Sequence, residues 1–274
     1  MNTSRINISI STTVRAAVLA CALVATLGAC TDAAPLAPSE VGLERRRVTD
    51  GLPDDAALRS ALESARDLAN GGFNLDMWAT VVNRSGEVVA VVFTGEVAGD
   101  QWPGSRVISA QKANAANAFS LPGLALSTAN LYSAVQPGGS LFGLQASNPV
   151  DPAVAYGGKS SDYGTPRDFM VGRKIGGINV FGGGLALYNQ AGRLVGGVGV
   201  SGDASCADHN IAWRVRDLLQ LDYVPGGVSA TGDDNIVYDI TANVSASGWG
   251  HPTCSAAATT IGNALPTTNP ISGR

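Results

Sequence analysis

The chain has 274 residues, 45% of them apolar and only 15% charged, with 18 basic against 22 acidic side chains and a formal net charge of −4. A mildly acidic chain whose one basic run is Arg45-Arg46-Arg47 has no electrostatic footprint for nucleic acid, so that class of partner is excluded.

Arg5 and Arg15 precede an apolar run over 16–27 that is too short to span a bilayer and has the shape of a signal-peptide core. The run ends in Leu27-Gly28-Ala29-Cys30, which resembles a bacterial lipobox. That resemblance implies removal of residues 1–29, lipidation of Cys30 and a protein anchored to the cell envelope without crossing it. Thr31 stands where an aspartate would retain the protein at the inner membrane, so the outer membrane is expected in a Gram-negative cell. The processed chain keeps 16 basic and 22 acidic residues, a formal charge of −6. Residues 30–53 are rich in Ala, Pro and Ser and read as a solvated tether.

The domain proper is expected over 54–221, with enough residues for one buried core. Leu58, Leu62 and Ala65 repeat at helical spacing in 54–70, and Asn70-Gly71-Gly72 is a stop signal. Two apolar runs then flank Asn83-Arg-Ser-Gly86, and two more flank Asn189-Gln-Ala-Gly192. Asn and Gly tolerate the positive φ of tight turns, so each quartet predicts a hairpin, and both hairpins belong in one antiparallel sheet. Between them an alanine-rich helix is expected over 106–119 and a shorter one over 127–135. Residues 136–178 turn to Gly, Pro, Ser and Asp, an irregular stretch long enough to be a binding loop or an insertion. Gly196, Gly197 and Gly199 interrupt the last strand, which implies that something packs closely on it. The helix expected over 203–219 is the natural occupant. Beyond Leu221 the sequence reads as a tail, 222–274, disordered over 255–274.

Several motifs tempt and fail. Gly197-Val-Gly199-Val-Ser-Gly202 fits a dinucleotide fingerprint, but no further parallel strands follow it. The segment Ala153 to Ser160 lacks the first glycine of a phosphate loop and precedes no helix, and no Gly-x-Ser-x-Gly elbow occurs. Cys206 and Cys254 are the two cysteines that remain after processing, and in an oxidising envelope they pair as a disulfide. Closing that loop would stabilise by roughly 4 kcal/mol. Cys206-x-x-His209 and His251-x-x-Cys254 also hold the four ligands of a tetrahedral zinc site, the alternative to the disulfide.

The first helix, the polar-x-x-Gly turns, the Ala-rich helix carrying Lys112, Val-Gly-Gly-Val-Gly-Val-Ser-Gly202 and a helix containing Asp208 together resemble the GlcG/HbpS-like haem-binding family. That family also supplies the C-terminal domain of PduO-type corrinoid adenosyltransferases. The resemblance implies an α+β fold, an α/β/α sandwich with an antiparallel sheet of about five strands flanked by helices. It further implies homo-oligomers and haem or a related tetrapyrrole as ligand. With no histidine in the first helix, axial ligation from that helix is excluded here. Arg106, Lys112, Asp208 and His209 are the cofactor-binding candidates, with Arg167 and Lys174 as further cations for ligand carboxylates. Two other readings stay open: an enzyme using Asp208 and Lys112 as acid and base, and an accessory lipoprotein whose sheet makes an oligomer.

Overall fold

The computed structural model describes residues 51–273. Helix α1, Asp55–Arg66, begins where the Asp54 carboxylate accepts from the Ala57 N–H at 2.9 Å. It stops because the Asn70 side-chain amide donates to the carbonyls of Ala65, Arg66 and Leu68, closing the open end of the helix. Leu58, Ala61, Leu62 and Ala65 form its buried stripe, and each fully buried leucine contributes roughly 1.5–3 kcal/mol.

Strands β1, Trp78–Asn83, and β2, Val88–Phe93, form the first hairpin. Strands β3, Gly184–Tyr188, and β4, Leu194–Ser201, form the second. The two turns are built alike. The Asn83 side-chain oxygen accepts from Ser85 N and Glu87 N, and that of Asn189 accepts from Ala191 N and Arg193 N. Gly86 and Gly192 take φ of +78° and +68°, and each hairpin has a register shift one step inside the turn. The sheet order is β2-β1-β4-β3, antiparallel throughout.

Side chains alternate between the two faces. Ala79, Val81, Val198 and Val200 join α1 and helix α3, Ser205–Leu218, in the larger core. Trp78, Val82 and Val91 face the other way and pack with Val107, Ala110 and Ala113 of helix α2, Ser105–Phe119. Gly197 and Gly199 of β4 belong to this second face. A Cβ on Gly197 would strike the Ala113 carbonyl, and one on Gly199 would strike the Ser109 carbonyl. The occupant expected from sequence was therefore the wrong helix: α2 lies on Gly197 and Gly199, and α3 packs on the branched residues of the opposite face.

The main sheet has four strands where about five were expected. Irregular backbone takes the fifth strand's place at both edges, with Val88 bonded to Arg173 and Gly172, and Tyr188 to Leu221 and Tyr223. A separate two-stranded hairpin joins β5, Ile240–Thr241, to β6, Val244–Ser245. The helix expected over 127–135 is two 3-10 turns, Ala129–Leu131 and Ser133–Val135.

The disorder expected over 255–274 is overturned for the described part. Helix α4, Ala256–Thr268, is capped by the Ser255 hydroxyl and packs on α3. Small residues permit this. Ala258 is fully buried beside Gly71, Asn210 donates to the Ala258 carbonyl, and Trp213 Nε1 donates to the Asn269 carbonyl at 2.9 Å. A helix rich in Ala and Thr, with Ile261 and Leu265 as its large apolar side chains, has little apolar volume to announce itself, yet it docks by close approach and buries Leu265 in the larger core. Cys206 and Cys254 are bonded to each other. This removes the zinc alternative, since both thiolates are consumed, and the described residues hold no group of three or more metal-ligating side chains. The signal peptide expected over 1–29, Cys30, and all of the tether 30–53 up to residue 50 lie outside the described residues.

Candidate ligand-binding cleft and buried charges

The candidates drawn from sequence fall into two places. Lys112, on the buried side of α2, donates from Nζ to Asp208 Oδ2 at 2.7 Å and to the Val200 carbonyl at 3.0 Å. The other carboxylate oxygen of Asp208 accepts from the Asp203 N–H at 2.9 Å. Gly183 lies against this pair, where a Cβ would come 3.0 Å from Asp208 Cβ and 3.1 Å from Lys112 Nζ, and Gly182 lies against Ser205 and His209 of α3. Spacing alone could not bring the two charges together; the fold does. Both are buried and bonded to protein, so they clamp α2 to the end of β4 and the start of α3.

His209 and His251 sit in the same interior. His209 Nε2 is 3.2 Å from Asn235 Oδ1 and from Ile236 N. His251 contacts the Pro252 carbonyl through Nδ1 at 2.7 Å and accepts from the Gly182 N–H at Nε2. Burial pushes their pKa values down to about 3 and about 4 from an ordinary 6.5. Burial pushes the Asp208 carboxyl up to about 6, against the pull of Lys112.

These shifts set how stability depends on pH. The histidines stay neutral in the fold while unfolded ones protonate near 6.5, so their contribution is complete above pH 6.5 and is lost as pH falls towards 4. Asp208 works in the opposite direction, because it takes up its proton near 6 in the fold and near 3.8 unfolded, so acid relieves its burial across that window. Two histidines outweigh one carboxyl, and the net loss between pH 7 and pH 5 is about 2 kcal/mol. Urea unfolding at the two pH values should show it, and His251→Gln should shrink the difference. Equal midpoints for the parent at both pH values would contradict it.

Arg106 lies in a different region. Its Nε donates to Asp168 Oδ2 at 2.8 Å, Nη2 donates to Asp168 Oδ1, and Nη1 donates to the Ala155 carbonyl at 2.6 Å. The guanidinium is therefore neutralised and buried, not held ready for a ligand carboxylate. Asp168 also accepts from Gly164 N and Met170 N, so this pair folds 152–170 against the start of α2. Arg167 is exposed and paired with Asp162, and Lys174 is exposed.

Beside Arg106 the structure opens a cleft of about 420 Å³, bounded by 98–107 on one side and 156–163 on the other. Trp78 lies at its base, 1% exposed, and the indole N–H has no hydrogen-bond partner among the described residues. Pro103 and Val107 form one wall; Tyr156 and Tyr163 form the other, with the Arg106 guanidinium stacked 3.7 Å from the Tyr163 ring. Gln101 shapes the first wall by accepting from Gly95 N and donating to the Val97 carbonyl. Sequence reasoning named Arg106 here but missed Trp78, Tyr156, Tyr163 and Asp168. Two tyrosines seven residues apart in a polar stretch were the available signal.

A family model described as "Haem degrading protein HbpS-like" matches residues 54–216, more than half of the chain. The chain belongs to the HbpS-like family. Among solved structures, this HbpS-like chain is similar to the Klebsiella pneumoniae protein ORFY, of the family model DUF336, at 25% identity and a TM-score of 0.41, over 61% of this chain and 90% of that one. It is also similar to a protein solved as a PduOC:heme complex, at 21% identity and a TM-score of 0.41, over 60% and 89% of the two chains. No curated protein matches.

Proposed function

We propose that this HbpS-like protein is an envelope binding protein whose cleft takes haem or a related flat tetrapyrrole. The observation that carries the reading is the cleft itself, with apolar and aromatic walls and a volume inside the usual range for small-molecule sites. Its features suit a flat, largely apolar ligand. Trp78 keeps an unpaired buried N–H at the base, and positions where a Cβ on Gly99 or Gly104 would meet nothing within 4 Å leave the mouth open. Exposed Lys159, next to Ser160 of the wall, is the cation in place for a ligand carboxylate, the role first given to Arg106. Bound haem would supply an iron centre for ligand exchange and electron transfer; the chain's part is to desolvate and orient the macrocycle. Titration of the purified protein with haemin should give a Soret shift and tryptophan quenching that saturate near one equivalent. An unchanged spectrum at micromolar haemin would contradict the reading.

The acid–base alternative is favoured by one observation, the 2.7 Å contact between Lys112 and Asp208. Neither residue lines the cleft, and both are sealed from solvent, so we read the pair as a clamp.

We propose further that Cys30 carries lipid and that the protein partitions with membranes. The Cys206–Cys254 disulfide supports an oxidising compartment. Cys30→Ser should move the protein to the soluble or unprocessed fraction, and unchanged partitioning of that variant would count against the anchor. Self-association, which the family resemblance implies, is also a proposal; a monomer by sedimentation equilibrium at micromolar concentration would oppose it.

A further inference from the structure

Among the described residues, the set of possible iron donors narrows which side chain would meet the iron. Histidine is the common haem ligand, but His209 and His251 are buried at the Gly182–Gly183 end of the fold and hold contacts within the protein. Met77 and Met170 are fully buried, and Cys206 and Cys254 are consumed by their disulfide. None of these six lines the cleft. Two phenols do. The Tyr163 hydroxyl donates to the Tyr156 carbonyl at 3.2 Å and its ring carries the Arg106 guanidinium, so it is held in the wall. Tyr156 is 65% exposed, lines the mouth, and its hydroxyl makes no hydrogen bond among the described residues, its carbonyl being the group that Tyr163 meets.

We infer that Tyr156 is the axial ligand of ferric haem in this cleft, an assignment that rests on the cleft being the haem site. Phenolate is a hard anionic donor suited to iron(III), and tyrosinate is an established haem ligand type. The phenol O–H bond breaks, an Fe–O bond forms, and the proton passes to water; no electron moves. The backbone that places Tyr156 is fixed by the Asp151 side chain, which caps the helical turn Pro152–Ala155 at its N-terminus, and by Arg106 bonding to the Ala155 carbonyl. The ligand is thus presented by a braced turn.

The test compares full-length processed protein, Tyr156→Phe and Tyr163→Phe, each titrated with haemin and followed by absorption, by electron paramagnetic resonance and by tryptophan fluorescence. The parent and Tyr163→Phe should show a phenolate-to-iron charge-transfer band and a high-spin ferric signal. Tyr156→Phe should lose the charge-transfer band while tryptophan quenching still saturates, with affinity weakened by about tenfold or more. Quenching in all three with identical spectra would overturn the ligand assignment and leave the cleft reading standing. Absence of quenching in all three would overturn both.

Discussion

Gly199→Val should abolish stable folding. A Cβ at this position would overlap the Ser109 carbonyl oxygen, approach the Ala113 nitrogen to 2.5 Å and the Lys112 Cβ to 3.0 Å. Two of these neighbours are helix backbone, which cannot rotate aside as a flexible side chain would. Helix α2 would have to lift from the sheet. That would uncover Val107, Ala110 and Ala113 and pull Lys112 from Asp208 and the Val200 carbonyl. The expected loss is more than about 4 kcal/mol, at the extreme end of single substitutions. Gly192→Ala is the control. Its Cβ would meet nothing within 4 Å, and only the positive φ of +68° opposes it, so about 1 kcal/mol is expected. Urea midpoints separate the two, and a Gly199→Val variant as stable as the control would show that α2 does not rest on the glycines.

Asp234→Ala is the second large effect. Arg216 is completely buried and donates to both oxygens of Asp234, at 2.7 and 2.8 Å. Removing the carboxylate leaves an uncompensated guanidinium whose remaining acceptor is the Ala186 carbonyl at 3.2 Å, a loss of about 3–5 kcal/mol. The double variant Arg216→Met with Asp234→Leu, which removes both charges, should recover most of that stability. If Asp234→Ala cost as little as an exposed substitution, the segment after residue 221 would be a dispensable tail after all.

Local chemistry was readable where it acts over a few residues. The two Asn-x-x-Gly quartets predicted both hairpins, because the turn needs only an Asx acceptor and a glycine of positive φ. The α1 stripe and its stop at Asn70 were equally plain, and cysteine arithmetic found the disulfide. What escaped depended on distance. Nothing in sequence says which helix covers Gly199, since both candidates flank a sheet whose faces differ only in how far a backbone can approach. Charges were misassigned for the same reason: Arg106 and Asp168 are 62 residues apart, and a buried arginine looks like a ligand-seeking one until its partner is placed. The cleft joins Trp78 of β1 to Tyr156 and Tyr163 of an irregular stretch, so its walls have no common motif.

The central claim, that a flat tetrapyrrole binds in this cleft, is most directly tested by filling the cleft without disturbing the fold. Gly104 is exposed at the start of α2, has φ of −63°, and a Cβ there would meet no atom within 4 Å. Gly104→Trp should therefore project an indole into the mouth at little cost in stability. Haemin titration of this variant beside the parent, with unfolding midpoints recorded for both, is the decisive measurement. The account predicts near-equal midpoints and a loss of haemin affinity of at least tenfold in the variant; equal affinity in two equally stable proteins would place the ligand elsewhere.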